Sequence, residues 1–111
     1  MGTLTKGDVV LFPFPYTDLS DRKLRPCLVL SEEIGEDIML CQITSQRLRK
    51  DKHSIELKQA DTTDGTLMID SYIRANMVFT AAKAQIHRKL CKVRDDKYGQ
   101  VTKMITAIIE K

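Results

Sequence analysis

The stretch GDVVLFPFPYTDLSDRKLRPCLVLS, residues 7–31, contains two apolar runs joined by a polar segment. Residues 7–12 are predicted to form a first strand, which Pro13 and Pro15 end because proline has no N–H to donate to a strand ladder. A polar loop is predicted through Leu24, and residues 26–30 are predicted to form a second strand. The stretch therefore predicts strand, loop and strand at the start of a β protein.

A third strand is predicted over residues 37–43, after an acidic segment in which Gly35 makes a hairpin turn. A turn centred near Ile34 would place Cys27 opposite Cys41, because opposed residue numbers in an antiparallel pair add to a constant. The second and third strands are apolar on both faces. The second face is therefore expected to be covered by a helix, a loop or a second subunit.

Short apolar runs continue along the chain, and residues 53–57, 67–69 and 77–81 are predicted as further strands. From Asp95 the period changes to that of an amphipathic α-helix, whose apolar side is formed by Tyr98, Val101, Met104, Ile105 and Ile108. No internal repeat is present. The pattern predicts a mainly β protein, a small barrel or sandwich, with one C-terminal amphipathic α-helix.

The chain of 111 residues is long enough for one domain, which is predicted to span residues 1–111. Its 42% hydrophobic and 30% charged residues are typical of a globular protein and not of a disordered one. The apolar residues 8–16 are too few for a membrane span, and no small-residue cleavage site follows them. A cytoplasmic protein without a membrane anchor is expected.

The three cysteines, Cys27, Cys41 and Cys91, are widely separated and form no Cys-x-x-Cys or Cys/His motif. Reduced and mostly buried thiols are predicted. No metal ligand set is visible in the sequence, so neither a metal nor another cofactor is expected.

The net charge of +3 is too small to indicate nucleic-acid binding by itself. Its distribution is uneven, because residues 31–37 are acidic whereas residues 46–58 hold five lysines and arginines. A second basic cluster consists of Lys83, Arg88, Lys89 and Lys92. Such clusters attract phosphates by releasing counterions, and they also occur as ordinary solvated surface.

Residues 7–31 resemble the opening of the MazF/PemK family of toxin endoribonucleases, with Gly-Asp before a strand, a proline-containing loop and Arg25-Pro26 entering an apolar strand. The resemblance continues through Thr44, which ends the next strand, and through residues 65–70. It implies an SH3-like (PemK/CcdB-type) β-barrel that works as a homodimer and cleaves single-stranded RNA. It also implies a cognate antitoxin protein that inhibits the enzyme and binds DNA together with it.

Cleavage of RNA through its own 2′-hydroxyl needs a general base, a general acid and positive charge around the phosphorane. Arg25 is the best candidate cation, since a guanidinium stays charged and binds two phosphate oxygens at once. The resemblance makes Arg25 catalytic; an ion pair with Asp18 or Asp21 is the alternative. Thr44 is expected to donate its hydroxyl to the scissile phosphate, unless it merely ends a strand. By resemblance, Asp70 is a general base or orients the substrate.

Ser45 and Gln46 are expected to read neighbouring bases by hydrogen bonds, and Phe14 or Tyr16 to stack on a base. The remaining predicted RNA contacts are Asp21, Arg22, Pro26, Arg49, Lys50 and Ser71. The chain departs from the family in two places. Residues 19–24 read LSDRKL where many relatives have Gly-Ser-Glu-Gln, and Met68 stands where some relatives carry an arginine.

Three alternatives remain open. His53 and His87 have the side chain of an acid/base pair, but neither matches a catalytic position of the family. A non-catalytic SH3-like module would bind nucleic acid or protein through the same basic surface. A gyrase poison of the CcdB type shares the barrel but has a C-terminal motif with tryptophan, and this chain has no Trp.

Overall fold

The computed structural model describes residues 3–15, 22–46 and 52–111. Within them, single turns of 3-10 helix lie at Gln59–Asp61 and Lys83–Gln85. The other elements are β1 (Asp8–Pro15), β2 (Arg22–Val29), β3 (Asp37–Thr44), β4 (Ser54–Leu57), β5 (Thr62–Thr63), β6 (Ser71–Ala82), β7 (Arg88–Val93) and α1 (Asp95–Glu110). The predicted fold class, a mainly β barrel-like protein with a C-terminal helix, is confirmed.

The strands form one antiparallel sheet of seven strands in the order β4-β6-β3-β2-β1-β7-β5, which curls into a half-barrel. Helix α1 packs against the inner face of this sheet. Val101 is fully buried there, and Tyr98, Met104 and Ile105 pack around it. The amphipathic pattern therefore predicted the helix and most of the side that it buries, but Ile108, which was predicted on that side, is exposed.

The first two strands are longer than predicted. β1 runs through Pro13 and Pro15 instead of ending at Phe12, and β2 begins four residues before Pro26. β7 pairs with β1 only from Asp8 to Leu11, so both prolines lie where β2 is the one described neighbour of β1. A strand with one open edge tolerates proline, because the missing N–H interrupts no ladder on that side.

The register predicted for β2 and β3 is wrong by one residue. Cys27 pairs with Gln42, and Leu28 pairs with Cys41. The turn has two central residues, Gly35 and Glu36, and is closed by hydrogen bonds of 2.8 and 3.0 Å between Ile34 and Asp37. Gly35 adopts a φ of +62°, which suits such a hairpin turn. The strand pairs are centred between Ile34 and Gly35, half a residue beyond the predicted centre, so Cys27 and Cys41 belong to opposite faces of the sheet.

Two apolar clusters form, one on each face of the central strands. The first, between the sheet and α1, includes Leu28, Cys41 and Ile43. The second includes Val10, Phe12, Cys27, Val29 and Leu40, and it is completed by Leu4 and Ile86. The second face is thus covered by other segments of the same chain, which is one of the predicted alternatives.

Glu33 connects these covering segments to the β2–β3 hairpin. Its Oε2 accepts a hydrogen bond from the Leu4 N–H at 2.9 Å, and its Oε1 lies 2.7 Å from Lys83 Nζ. The hydrogen bond from Lys83, followed by that from Leu4, lowers the pKa of the Glu33 carboxyl. Both segments that cover the second cluster are therefore held by one carboxylate.

Two further strand predictions need correction. Residues 67–69 form no strand, and β7 was not predicted at all. Residues 77–81 are only the second half of β6, which has twelve residues. The three cysteines are buried and free, as predicted. In the part of the chain that the structure describes, no helix has the length and apolarity needed to cross a membrane.

Candidate functional site

One face of the central strands changes from apolar to polar along its length. On β2, Cys27 and Val29 belong to the second cluster, and Arg25 precedes them on the same side of the strand. On β3, Leu40 belongs to that cluster, and Gln42 and Thr44 follow on the same side. We call this half of the face the polar face; its members are Arg25, Gln42, Thr44, Tyr72 and Arg74.

The register places these side chains in rows. Thr44 pairs with Tyr72 on β6, and Tyr72 pairs in turn with Glu56 on β4. The last pair between β2 and β3 is Cys27 with Gln42, and Arg25 and Thr44 each lie two residues beyond this pair, on the same side of their strands. The guanidinium of Arg25 and the hydroxyl of Thr44 therefore belong to the same face, on strands that neighbour each other in the sheet.

An aromatic cluster, formed by Phe12, Phe14 and Phe79, lies between the second apolar cluster and Arg25. Phe12 is the β1 partner of Arg25. Its ring meets those of Phe14 and Phe79 edge to face, with centroids 5.4 and 5.5 Å away. Phe14, predicted to stack on a base, is thus half-buried against two other rings. Such packing fixes the backbone from which Arg25 projects.

Thr44 is nearly buried, with 9% of its surface exposed, at the last position of β3. Its Oγ1 accepts a hydrogen bond of 3.2 Å from the Gln46 N–H. A hydroxyl that accepts in this way still has its own proton to donate. Ser45 and Gln46 are exposed directly beyond the strand, so their side chains border the polar face.

Asp70 is exposed and comes two residues before Tyr72. It lines a surface hollow of about 260 Å³ together with Gln59 and the segment 66–69. Within that segment Met68 has a φ of +85° and 72% of its surface exposed. A side chain other than glycine in this conformation indicates local strain, which concentrates at functional sites.

Several predicted contacts are not brought to the polar face. Pro26 lies on the opposite side of β2. Ser71 is buried, and its hydroxyl donates to the Ile69 carbonyl oxygen at 2.9 Å. Arg22 is described only as the first residue of β2. The predicted contacts outside the described residues are Tyr16, Asp21, Arg49 and Lys50.

The second basic cluster is largely engaged in ion pairs within the chain. Lys83 pairs with Glu33 at 2.7 Å. Lys89 and Lys92 approach the buried Asp8 carboxylate at 3.2 and 4.0 Å. Three of these four cations thus stabilise the fold near β7. Among the residues that the structure describes, no group of three or more His, Cys, Asp or Glu side chains is arranged to hold a metal ion.

Sequence reasoning did not select Gln42, Tyr72 or Arg74. Gln42 follows from alternation along β3, since it lies two residues before Thr44. Tyr72 and Arg74 became visible only when β6 was found to begin at Ser71 rather than near Met77.

Comparison with known proteins gives a family and a fold. Residues 5–109 match the family model described as PemK-like, MazF-like toxin of type II toxin-antitoxin system. No match was found among curated protein sequences.

Similar solved structures include a MazE-MazF structure from Deinococcus radiodurans (TM-score 0.78, 16% identity, 98% of both chains covered). An endoribonuclease in complex with its cognate antitoxin from a mycobacterial species is also similar (TM-score 0.74, 14% identity, 99% of this chain and 96% of that one). A MazF toxin of Mycobacterium tuberculosis has a TM-score of 0.65 at 13% identity, over 91% and 96% of the two chains. Because the family model covers nearly the whole chain, this protein belongs to the PemK-like, MazF-like toxins of type II toxin-antitoxin systems.

Proposed function

We propose that this toxin is a cytoplasmic, metal-independent endoribonuclease that cleaves single-stranded RNA at specific sequences. The observation that supports the proposal is that Arg25 and Thr44 lie on the same face of neighbouring strands, in a chain of this family. A guanidinium and a hydroxyl on neighbouring strands suit a phosphate, since the first binds two oxygens and the second donates to a third.

The proposed reaction begins with attack of the substrate's 2′-hydroxyl oxygen on the adjacent phosphorus, while a base removes the hydroxyl proton. The P–O5′ bond breaks, and the leaving 5′-oxygen takes up a proton. Arg25 and Thr44 stabilise the charge that develops on the phosphorane. Asp70 is proposed as the base or as the group that orients the ribose, because it precedes β6 two residues before Tyr72, the partner of Thr44.

Base recognition is assigned to the borders of the polar face. Ser45 and Gln46, which are exposed just beyond Thr44, are proposed to hydrogen-bond to base edges. Phe14 supports this border through its ring contacts. Arg49 and Lys50 are proposed to bind the RNA backbone electrostatically.

The decisive experiment incubates the purified protein with a long RNA of known sequence in the presence of a chelator and maps the cut sites and product ends. We expect cuts at a recurring sequence that leave a 2′,3′-cyclic phosphate and a 5′-hydroxyl, with no loss of rate on chelation. Cleavage of a substrate with 2′-deoxyribose at the cut site, or 5′-phosphate ends, would contradict the mechanism. Binding without any cleavage would instead support the non-catalytic module, and trapping of gyrase on DNA would support the gyrase poison.

The proposed partners are an antitoxin protein and a second copy of the chain. An acidic, partly disordered antitoxin segment is proposed to lie across Arg25 and residues 47–50, where it competes with RNA phosphate. The toxin and antitoxin together are proposed to bind DNA. Reversing Arg49 and Lys50 to Glu should weaken inhibition by the antitoxin, which is measured as residual cleavage at increasing antitoxin concentration. Unchanged inhibition would exclude this route.

A further inference from the structure

The polar face carries a second guanidinium, that of Arg74 on β6. Arg74 shares the side of β6 that presents Tyr72, and it pairs across the sheet with Ser54 on β4. Arg74 Nη1 lies 3.5 Å from Gln42 Oε1, so the guanidinium reaches over β3 towards the side of Arg25. Two cations of the same kind therefore converge on one face from either side of β3.

The backbone that carries Arg74 is fixed by an irregularity of the sheet. The register between β3 and β6 shifts between Cys41 and Ile43, so several residues of β6 stand opposite Gln42 alone. Cys41 Sγ donates to the Arg74 carbonyl oxygen at 3.0 Å, and the Ala75 N–H donates to the His53 carbonyl oxygen at 2.9 Å. Bulges of this type redirect a side chain at a functional site.

A neighbouring donor points to an anionic ligand. The hydroxyl of Ser54, directly across from Arg74, is buried and has no hydrogen-bond partner among residues 3–15, 22–46 and 52–111. A buried hydroxyl without a partner costs free energy, and a ligand oxygen would supply the missing acceptor once the side chains that cover this hydroxyl move aside. Ser54 and Arg74 together offer one hydroxyl and a fork of guanidinium donors, which is a donor set suited to a phosphate group.

We propose that Arg74, oriented by Gln42 and assisted by Ser54, forms a second phosphate-binding subsite that grips an RNA phosphodiester next to the one cleaved at Arg25 and Thr44. The inference rests on the proposed function, since the phosphate is that of the RNA substrate. The strands that carry Arg25 and Arg74 lie about 10 Å apart, on either side of β3. A single RNA strand crossing β2, β3 and β6 would then contact both.

The test measures binding of an RNA that carries 2′-deoxyribose at the mapped cut site, as a function of salt concentration. For single strands each phosphate contact contributes about 0.7 to the slope of log K against log salt. Arg74→Met keeps the aliphatic stem and removes the charge. We expect it to reduce the slope by about 0.7 and to weaken binding about fourfold at 0.15 M salt. Arg74→Lys should keep the slope, and Ser54→Ala should weaken binding less than Arg74→Met does.

The matched control is Lys103→Met, which removes one exposed positive charge from α1, away from the polar face. Its slope should equal that of the unaltered protein. An unchanged slope in Arg74→Met would overturn the proposal, whether or not the cut-site sequence changes, because the side chain would then not contact a phosphate. If Arg74→Met does not fold, Arg74→Gln replaces it. Failure of both to fold would make Arg74 structural and also overturn the proposal.

Failure of the inference is distinguishable from failure of the proposed function. If the unaltered protein neither binds nor cuts RNA, the proposed function fails. If it does both and only the Arg74 slope is unaffected, the second phosphate subsite alone is wrong.

Discussion

Arg25 projects from a strand that is paired with β1, and its partner Phe12 is held in the aromatic cluster. Its removal should therefore leave the fold intact while removing a preorganised charge donor. We predict that Arg25→Ala lowers the single-turnover cleavage rate by at least about a hundredfold, and that Thr44→Ala lowers it less. Thermal unfolding checks that the variant folds, and Lys103→Ala serves as the control. A rate within threefold of the unaltered protein would exclude Arg25 from the chemistry.

The thiols of Cys27 and Cys41 are held in the neutral form by burial. Desolvation raises the pKa of Cys41 to about 12 and that of Cys27 further, the latter with a smaller contribution from Cys41 itself. We predict that both thiols react slowly with an alkylating reagent in the native state at neutral pH and rapidly in denaturant, because the thiolate is the reactive form. Rapid labelling of both in the native protein would contradict their burial.

The raised pKa values of Cys27 and Cys41 make the free energy of unfolding depend on pH. Above the ordinary cysteine pKa near 8.5 the unfolded chain releases thiol protons that the native protein retains, so the native state loses relative stability as pH rises. The free energy of unfolding, measured by urea titration, should fall from about pH 8.5 upwards. Its decline should be shallower in Cys41→Val, in which one of the two thiols is absent.

At the scale of the elements, the turn before residues 66–70 leaves no room for a side chain at Gly65. A Cβ on Gly65 would stand 2.0 Å from the Leu90 carbonyl oxygen on β7, and Gly65 has a φ of +148°. We predict that Gly65→Ala lowers the free energy of unfolding by at least about 2 kcal/mol, from overpacking and backbone strain together. The measurement is urea unfolding.

Two glycines provide matched controls. Gly35 and Gly99 have open space around the position of a Cβ. Gly35→Ala should cost only about 1 kcal/mol, since its φ of +62° is left-handed, and Gly99→Ala should stabilise α1 by about 0.5–1 kcal/mol. Equal effects at all three positions would show that contact with Leu90 is unimportant.

The sequence predicted those elements whose pattern is local. Helix α1 follows from its helical periodicity, and strand β3 follows from a continuous apolar run that is buried on both faces of the sheet. Strand β7 was hidden, since Lys89 and Lys92 interrupt its apolar residues. Their charges are compensated by the buried Asp8 from β1, which no local pattern reveals.

The site residues also divide into those that a local motif predicts and those that depend on pairing between distant strands. Arg25 and Thr44 were found from a motif, whereas Tyr72 and Arg74 depend on where β6 begins and on its irregular register with β3. That register is a property of pairing between distant segments. The hairpin register failed for a related reason, because the pairs of β2 and β3 do not continue in register into the turn that Ile34 and Asp37 close.

At the scale of the whole molecule, we predict a homodimer. The second apolar cluster is already covered by Leu4 and Ile86, so dimerisation is not needed to cover it. Apolar side chains nevertheless remain exposed on the described surface, among them Met77 and Val78 on β6 and Ile109 on α1. We expect an interface of about 1,600 Å² in total. Light scattering over a micromolar concentration series should give twice the chain mass, and a monomer throughout would contradict the prediction.

The second cluster and the polar face lie on the same side of the sheet. A substitution at their border is therefore expected to change thermal stability and RNA cleavage in opposite directions. Leu40 and Gln42 are neighbours on that face, one inside the core and the other beside Arg74. Gln42→Leu would extend the apolar half by one position and remove a polar group from a half-buried strand, which should raise the melting temperature. It would also remove the acceptor that orients Arg74, and RNA cleavage should weaken. Under the proposed function, Gln42 therefore favours RNA cleavage over the stability of the sheet.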